Sequence, residues 1–584
     1  LLLTGLVGLI TVLFEKDVPL ELSPYLLVWG LLLLPTLLVW TAFVATAWSI
    51  TGNRYVTYAL SLAVIFFTGY RQFTGKMNWV GNWILWSTVP WSDISRFELD
   101  RMGIVLNRLF VLAVTALLLV VSIRYYPRRE RDPIRLMHRL RPPALLKTAG
   151  ILLAIGSPAI ALGVALWISV DAGPQGNPAK KAQKDYWRKN LATYKDAPTP
   201  DLQHVEIELE VFPARSSYRS KGWYRLSNGE RKPLPWIALT PGLHWRETRW
   251  TLNGEPTDPE NRAGLVVFPL KPPLAPDASL TIGFEHHGRY PDGLSKNGGG
   301  EGTFILPSSV VLTGFTPSFA PLIGFQDGIG VDDENKTDAK EFAEDFYVGQ
   351  TDSFLGARSP CATKIRATGP ADFRFHSVGE LISEEQREGK RTVVWSSDYP
   401  VNFFNVIGGR WVEKRGEGTA IFHHPAHGAN IDEMLLALNG ARKYYSAWFA
   451  PFPWKELKLN EFAGLSGYAQ GFPTNITFSE SIGFLTRSDS TDHAAFAVTA
   501  HESAHQWWGN LIAPGEGPGG NLLSEGTSHF STILLMDQVL GPAARMEFCR
   551  RIENRYNIGR QADSERPLVK IDGSRPGDTT VTYD

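Results

Sequence analysis

Residues 23–50, SPYLLVWGLLLLPTLLVWTAFVATAWSI, run for 28 positions without a charged side chain. About 20 apolar residues are enough for a helix to cross the ~30 Å hydrocarbon core of a bilayer, and buried helices of water-soluble proteins seldom need more than half that length. The run therefore predicts a membrane span. Residues 148–170 give a second, and residues 104–123 a third, with Arg108 one turn inside and long enough to snorkel outward. Residues 55–70 are uncharged but short, and 1–14 read as the tail of a further span, so about five spans are expected over 1–170. Leu1 lies inside an apolar run with no preceding Met or basic segment, which suits a fragment better than an intact signal peptide.

Charge sets the expected orientation. The loop 124–147 holds eight basic and two acidic residues, an excess that stays cytoplasmic. Residues 148–170 then lead outward, and everything after Asp171 is expected outside the cytoplasm. The acidic loop 15–21 and the short loop 53–54 agree with this. Trp79, Trp83, Trp86 and Trp91 suit either an outer interfacial belt or an ordinary connector. Over the whole chain 58 basic residues meet 59 acidic ones, which excludes a strongly basic nucleic-acid binder. That balance hides a split, with a net +7 in 1–170 and −8 beyond. Two cysteines, Cys361 and Cys549, exclude a disulfide scaffold and a cysteine metal site.

Residues 171–200 are polar with scattered Pro and Gly, as a linker would be. From 201 the period changes to two. In 204–212, HVEIELEVF, strict alternation puts Val205, Ile207, Leu209 and Val211 on one strand face. Residues 264–270, 279–284 and 391–396 read the same way, so 201–415 is expected to be an all-β, sandwich-like or saddle-shaped domain. The acidic stretch 327–345 lacks calcium-loop spacing and reads as a solvated loop. Residues 416–584 mix helices and strands: helices over 430–450, 490–509 and 524–540, strands over 456–462 and 475–478.

The second of those helices carries His501-Glu502-Ser503-Ala504-His505, an H-E-x-x-H pattern. Residues four apart share a helix face, so both imidazoles reach one point. Zinc takes such nitrogen ligands, and a catalytic site adds one more protein ligand and a water. Glu502 stands where it can take that water's proton. With 13 His in 584 residues, chance produces on the order of 0.01 such patterns. A third ligand should be a carboxylate on a nearby helix, and Glu525 lies 20 positions after His505. His529, one turn further, reads as orienting a ligand or facing solvent. The histidines of 423–427, His423, His424 and His427, read as structural residues of a strand and turn.

The segment HESAHQWWGNLIAPGEGPGGNLLSEG resembles the membrane alanyl aminopeptidase (aminopeptidase N) family of gluzincins. So do VVWSSDYPVNFFNVIGGRW, IFHHPAH and ARKYYSAWFAPFPWKELKLNEF, and the likeness extends over about 200–584. It implies an N-terminal saddle domain, a thermolysin-like α/β catalytic domain, and one zinc held by His501, His505 and Glu525. The gap between second His and Glu is nineteen residues here, against the eighteen usual in the family. The resemblance also implies that Tyr583, 58 residues past Glu525, hydrogen-bonds the developing oxyanion. The family's G-A-M-E-N segment, whose Glu binds the substrate's free amine, corresponds here to GYAQGFPTNITFSE, with Gln470 and Gly471 at that Glu's place. Glu461 lies upstream.

Several spans followed by such a domain look like bacterial fusions of an ABC-type permease region to an aminopeptidase-like domain. No G-x-x-x-x-G-K loop is present, so any ATPase would be a separate subunit. The expected activity is hydrolysis of peptides outside the cytoplasm by a zinc metallopeptidase embedded in the lipid bilayer. The alternative is a permease or export component whose peptidase-like domain binds peptides with little turnover.

Overall fold

The computed structural model describes residues 2–14, 21–85, 88–126, 141–331, 342–348, 360–486, 488, 491–515, 517–560, 565–572 and 575–583. Most of the basic loop 124–147, nearly all of the acidic loop 15–21, Trp86 and the middle of 327–345 lie outside them. The chain divides into two compact units: Leu1–Pro90 with Phe97–Ala179 and Pro291–Gly300, and Trp91–Arg96 with Lys180–Tyr290 and Glu301–Asp584.

The first unit is helical. Ser23–Thr51, Arg101–Tyr125 and Leu146–Asp171 are long and apolar enough to cross a membrane. Leu37, Leu38, Leu109, Leu112, Leu153, Val164 and Trp167 on these helices are exposed, a pattern water disfavours and lipid satisfies. Among the described residues there are three such helices; about five spans were expected over the region. Arg54–Phe73 is helical but carries Arg54 and Arg71 near its ends and does not reach their apolarity, while Leu2–Phe14 is only 13 residues long.

Arg108 does not snorkel. Its guanidinium is buried and donates to the carbonyls of Leu32 (3.0 Å) and Trp83 (2.9 Å), to Thr36 Oγ1 (3.0 Å) and to Asn107 Oδ1. Five donors facing several fixed acceptors make burial cheaper than stretching to an interface. Nor does Trp79 join an interfacial belt. It is buried, its Nε1 donates to Leu294 O (2.9 Å), and any Cβ at Gly103 would fall 2.4 Å from its ring.

In the second unit, eight strands form a sheet in the order Glu380–Arg387, Lys390–Ser396, Ala362–Pro370, Asp201–Phe212, Ser217–Ser227, Ser279–Arg289, Trp245–Leu252, Glu255–Thr257. Val205, Ile207, Leu209 and Val211 lie at most 1 % exposed, on the face that the alternation selects. They enter one apolar core with Phe268, Phe284, Val310, Phe375 and Val406, contributed by this sheet and two four-stranded ones. Within the stretch read as a linker, Asn177–Tyr194 is a helix. Its polar composition conceals three buried anchors. Tyr186 stacks on Phe325 and bonds Thr240 (2.8 Å), Asn190 donates to Arg262 O (2.8 Å), and Tyr194 packs against Trp236.

The site is built on a five-stranded sheet, ordered Val412–Arg415, Thr419–His423, Leu457–Phe462, Asn475–Ser479, Ala469–Gln470. Its three central strands are parallel and buried along their whole length, as strands covered on both faces must be. Met434 and Leu438 of the helix Ile431–Trp448 and Ala495 of the helix Ala494–Ala504 pack with Ile421, Leu459 and Ile476 of those strands. Ala497, Ala500 and Ala504 share a further core with Ala441, Tyr445 and Leu535, so small residues let three helices approach closely. The motif helix ends at Ala504, earlier than its composition predicts, because the chain folds back after His505. Trp507 N–H bonds Ala504 O (2.9 Å), Asn510 N–H bonds His505 O (3.1 Å), and Gly509 takes φ +139°.

Candidate metal centre

His501 lies on the last turn of the motif helix, His505 caps it, and Glu525 sits in the single π-turn Leu522–Gly526 that leads into Thr527–Val539. The structure brings the three together, with one potential ligand atom from each inside a 4.8 Å group. The same Glu525 Oε2 stands 3.1 Å from His501 Nε2 and 3.4 Å from His505 Nε2. Burial opposes charge on His505 and Glu525. Even so, Glu525 draws the His505 pKa up to about 9, and the two imidazoles hold Glu525 well below the carboxylate range.

The far sides of the rings are held in place. His505 Nδ1 faces Trp508 O (3.0 Å) and Ser528 Oγ (3.1 Å), while His501 Nδ1 faces His529 Nδ1 at 3.3 Å. His529 is therefore part of this cluster and does not face solvent. Burial pushes its pKa down to about 3, and its ring packs on Phe548. Nothing in the local sequence marks Trp508 O or Ser528 as supports; only the fold-back after His505 and the next helix bring them in.

Glu502 is 7 % exposed. Burial raises its pKa, while His505 and His501 lower it. Its carboxylate accepts the N–H of Gly471, and its Oε2 has no hydrogen-bond partner among the described residues. Gly471 is where the edge strand's turn touches the motif helix: a Cβ there would lie 2.7 Å from both Glu502 O and His505 Cβ. Gln470 is half-buried and pairs with Thr477. Tyr583 stacks on His501 with centroids 5.6 Å apart, and its hydroxyl bonds Glu525; burial first, then Glu525, raises its pKa.

Two imidazoles and a carboxylate converging on one point are the donor set that zinc takes, and a buried carboxylate oxygen with no partner sits on the same helix. The residues fit the ion.

Glu461 is directed elsewhere. It is fully buried, its Oε1 lies 2.5 Å from His427 Nδ1, and Glu480 joins the pair. Of the three histidines read as structural, His423 does bond locally, to His424 O (2.9 Å), whereas His427 belongs to this second group. Glu461 in the wholly buried LKLNEF and Glu480 directly after NITFS were the available signals, acids where a buried strand has no use for them.

No family model matches the sequence, and neither does any curated protein. Solved structures of M1 zinc metallopeptidases match part of this chain. One from Deinococcus radiodurans shows 17 % identity over 65 % of this chain and 79 % of its own, with a TM-score of 0.45. A mutant from the same organism, bound to a Tyr-Ser-Ala substrate, shows 17 % identity over 65 % and 78 %, with a TM-score of 0.42. A mutant two-domain M1 zinc metallopeptidase bound to L-arginine shows 16 % identity over 66 % and 80 %, with a TM-score of 0.45.

Proposed function

We propose that the chain is a membrane-embedded zinc metallopeptidase that hydrolyses peptides outside the cytoplasm. The observation that carries this reading is the convergence of His501, His505 and Glu525 beside a buried, half-satisfied Glu502. Zinc held by those three residues would supply Lewis acidity to the scissile carbonyl and to the attacking water. Glu502 Oε2, with its other contacts fixed by Gly471, accepts the water's proton and later delivers it to the leaving amine. Burial raises the Glu502 pKa, which makes it a better acceptor of the water's proton. The Tyr583 hydroxyl, held beside His501, donates to the oxyanion as the carbonyl becomes tetrahedral.

The specificity loop points to weak selection for a free amino terminus. Gln470 and Gly471 offer no carboxylate, and Glu461 is committed to His427 and the His424 N–H. That observation also favours the second reading, a permease or export component, working with a separate ATPase, whose domain binds peptides and turns them over poorly. The assay that separates the two compares free and N-acetylated peptides, for the wild type and Glu502→Gln at equal zinc content. The peptidase reading expects comparable wild-type rates on both forms and a loss of at least ~10²-fold in the variant. No turnover by the wild type on any peptide gives the case to the second reading.

A further inference from the structure

We infer that His427, Glu461 and Glu480 form a second site for a divalent transition-metal ion, zinc in the first instance. The three residues come from the same end of three adjacent parallel strands. His427 lies in the turn after Thr419–His423, Glu461 near the end of Leu457–Phe462, and Glu480 just after Asn475–Ser479. Ligands of open sheets with parallel strands gather at that carboxyl-terminal edge. One potential ligand atom from each lies within 4.8 Å of the others, the same closeness as in the His501, His505 and Glu525 group.

Charge gives the strongest argument. Glu461 and Glu480 are 0 % and 1 % exposed, and His427 is 4 % exposed. His427 Nδ1 lies against Glu461 Oε1 and the same group takes in Glu480, so one imidazole stands among two desolvated carboxylates. With both carboxylates ionised, even a charged imidazole leaves a buried net negative charge, whereas a divalent ion with a neutral His427 brings the group to zero. The carboxylates are also aimed. His424 N–H donates to Glu461 Oε2 (2.5 Å), Gly464 N–H to Glu480 Oε1 (2.7 Å), and Ile94 N–H to Glu480 Oε2 (3.2 Å). Each oxygen has two lone-pair directions, so these bonds orient the carboxylates and leave acceptor capacity for an ion.

The imidazole stands between two carboxylates. Its Nδ1 faces Glu461, and its Nε2 faces Asp93 Oδ2 at 3.9 Å on the opposite side. A ligating histidine commonly gives its other ring N–H to a carboxylate or carbonyl, as Trp508 O stands against His505 Nδ1. One nitrogen and two carboxylate oxygens suit zinc better than calcium or magnesium, which take oxygen alone.

The test uses the full chain in detergent, stripped by chelator, refilled with Zn²⁺ alone, desalted and analysed for metal. Two zinc ions per chain are expected in the wild type. One should remain in His427→Gln, in Glu461→Gln and in His501→Ala, and none in His427→Gln combined with His501→Ala. Zinc should also raise the melting temperature of His501→Ala, which reports the second site without disturbing any of its residues. A His501→Ala chain that binds no zinc and shows no such rise overturns the inference, as does a wild type that stops at one ion which His427→Gln retains. Failure of the catalytic reading looks different: His501→Ala would then keep every ion that the wild type holds.

Discussion

Glu502 and Tyr583 stand beside the same cluster but have different work in the proposed scheme, and substitution separates them. Glu502 coordinates nothing in the proposed scheme, so Glu502→Gln should keep its zinc and lose at least ~10²-fold in kcat. Tyr583→Phe removes one donor to the oxyanion and should cost about 10²–10³-fold in kcat with KM little changed, measured by steady-state kinetics. Gly471→Ala is a sharper probe of the fold at this point. Its Cβ would meet Glu502 O and His505 Cβ at 2.7 Å, so either the edge turn or the motif helix must shift. Overpacking of that kind costs about 1–3 kcal/mol, and kcat should fall together with the melting temperature. A Gly471→Ala enzyme of unchanged kcat and melting temperature would refute that contact.

At the scale of elements, the β-rich part of the second unit carries buried neutral histidines that make it sensitive to acid. Burial pushes the pKa of His286 down to about 3, against the Phe319 carbonyl that it faces, and does the same to His376, against Asn460. The unfolded chain protonates these residues near 6.5, so it binds more protons than the fold as pH falls from there toward 3, and stability falls with it. Each should cost about 2 kcal/mol between pH 7 and pH 5. Denaturant midpoints across that range measure the slope, and His286→Gln should flatten it by its own share. The helix Ile431–Trp448 is tied to the sheet's far turn by Asn430. Its Nδ2 donates to the carbonyls of Gly483 (2.7 Å) and Thr486 (2.6 Å), with Phe484 O at 3.3 Å. Asn430→Ala strands buried acceptors and should cost about 2 kcal/mol in the same unfolding assay.

For the whole molecule, the proposed orientation puts residues 171–584 outside the cytoplasm and 124–147 inside. Protease added to spheroplasts should then release the large domain, while an epitope placed in 124–147 stays protected until the membrane is lysed. Protection of the large domain, with cleavage at the epitope, would reverse the topology. The apolar runs that set this expectation were legible because 20 uncharged residues are a local property of the chain, and the helices over 23–51, 101–125 and 146–171 follow them closely. Arg108 was misread because a span's sequence does not show which carbonyls of its neighbours lie within reach.

The sequence alone determined whatever depends on neighbours within a few residues. The two-residue period put Val205, Ile207, Leu209 and Val211 on one face, and the four-residue spacing put His501 and His505 on one side of a helix. Tertiary structure decided what depends on distant segments meeting. It set Glu525 between the two imidazoles, set Glu461 against His427, and pressed Gly471 against Glu502. It also made a helix with three buried anchors of the polar stretch Asn177–Tyr194. These outcomes rest on side-chain burial and on hydrogen bonds between residues tens to hundreds of positions apart. No local period encodes such pairings, and they exist only once the sheets have formed.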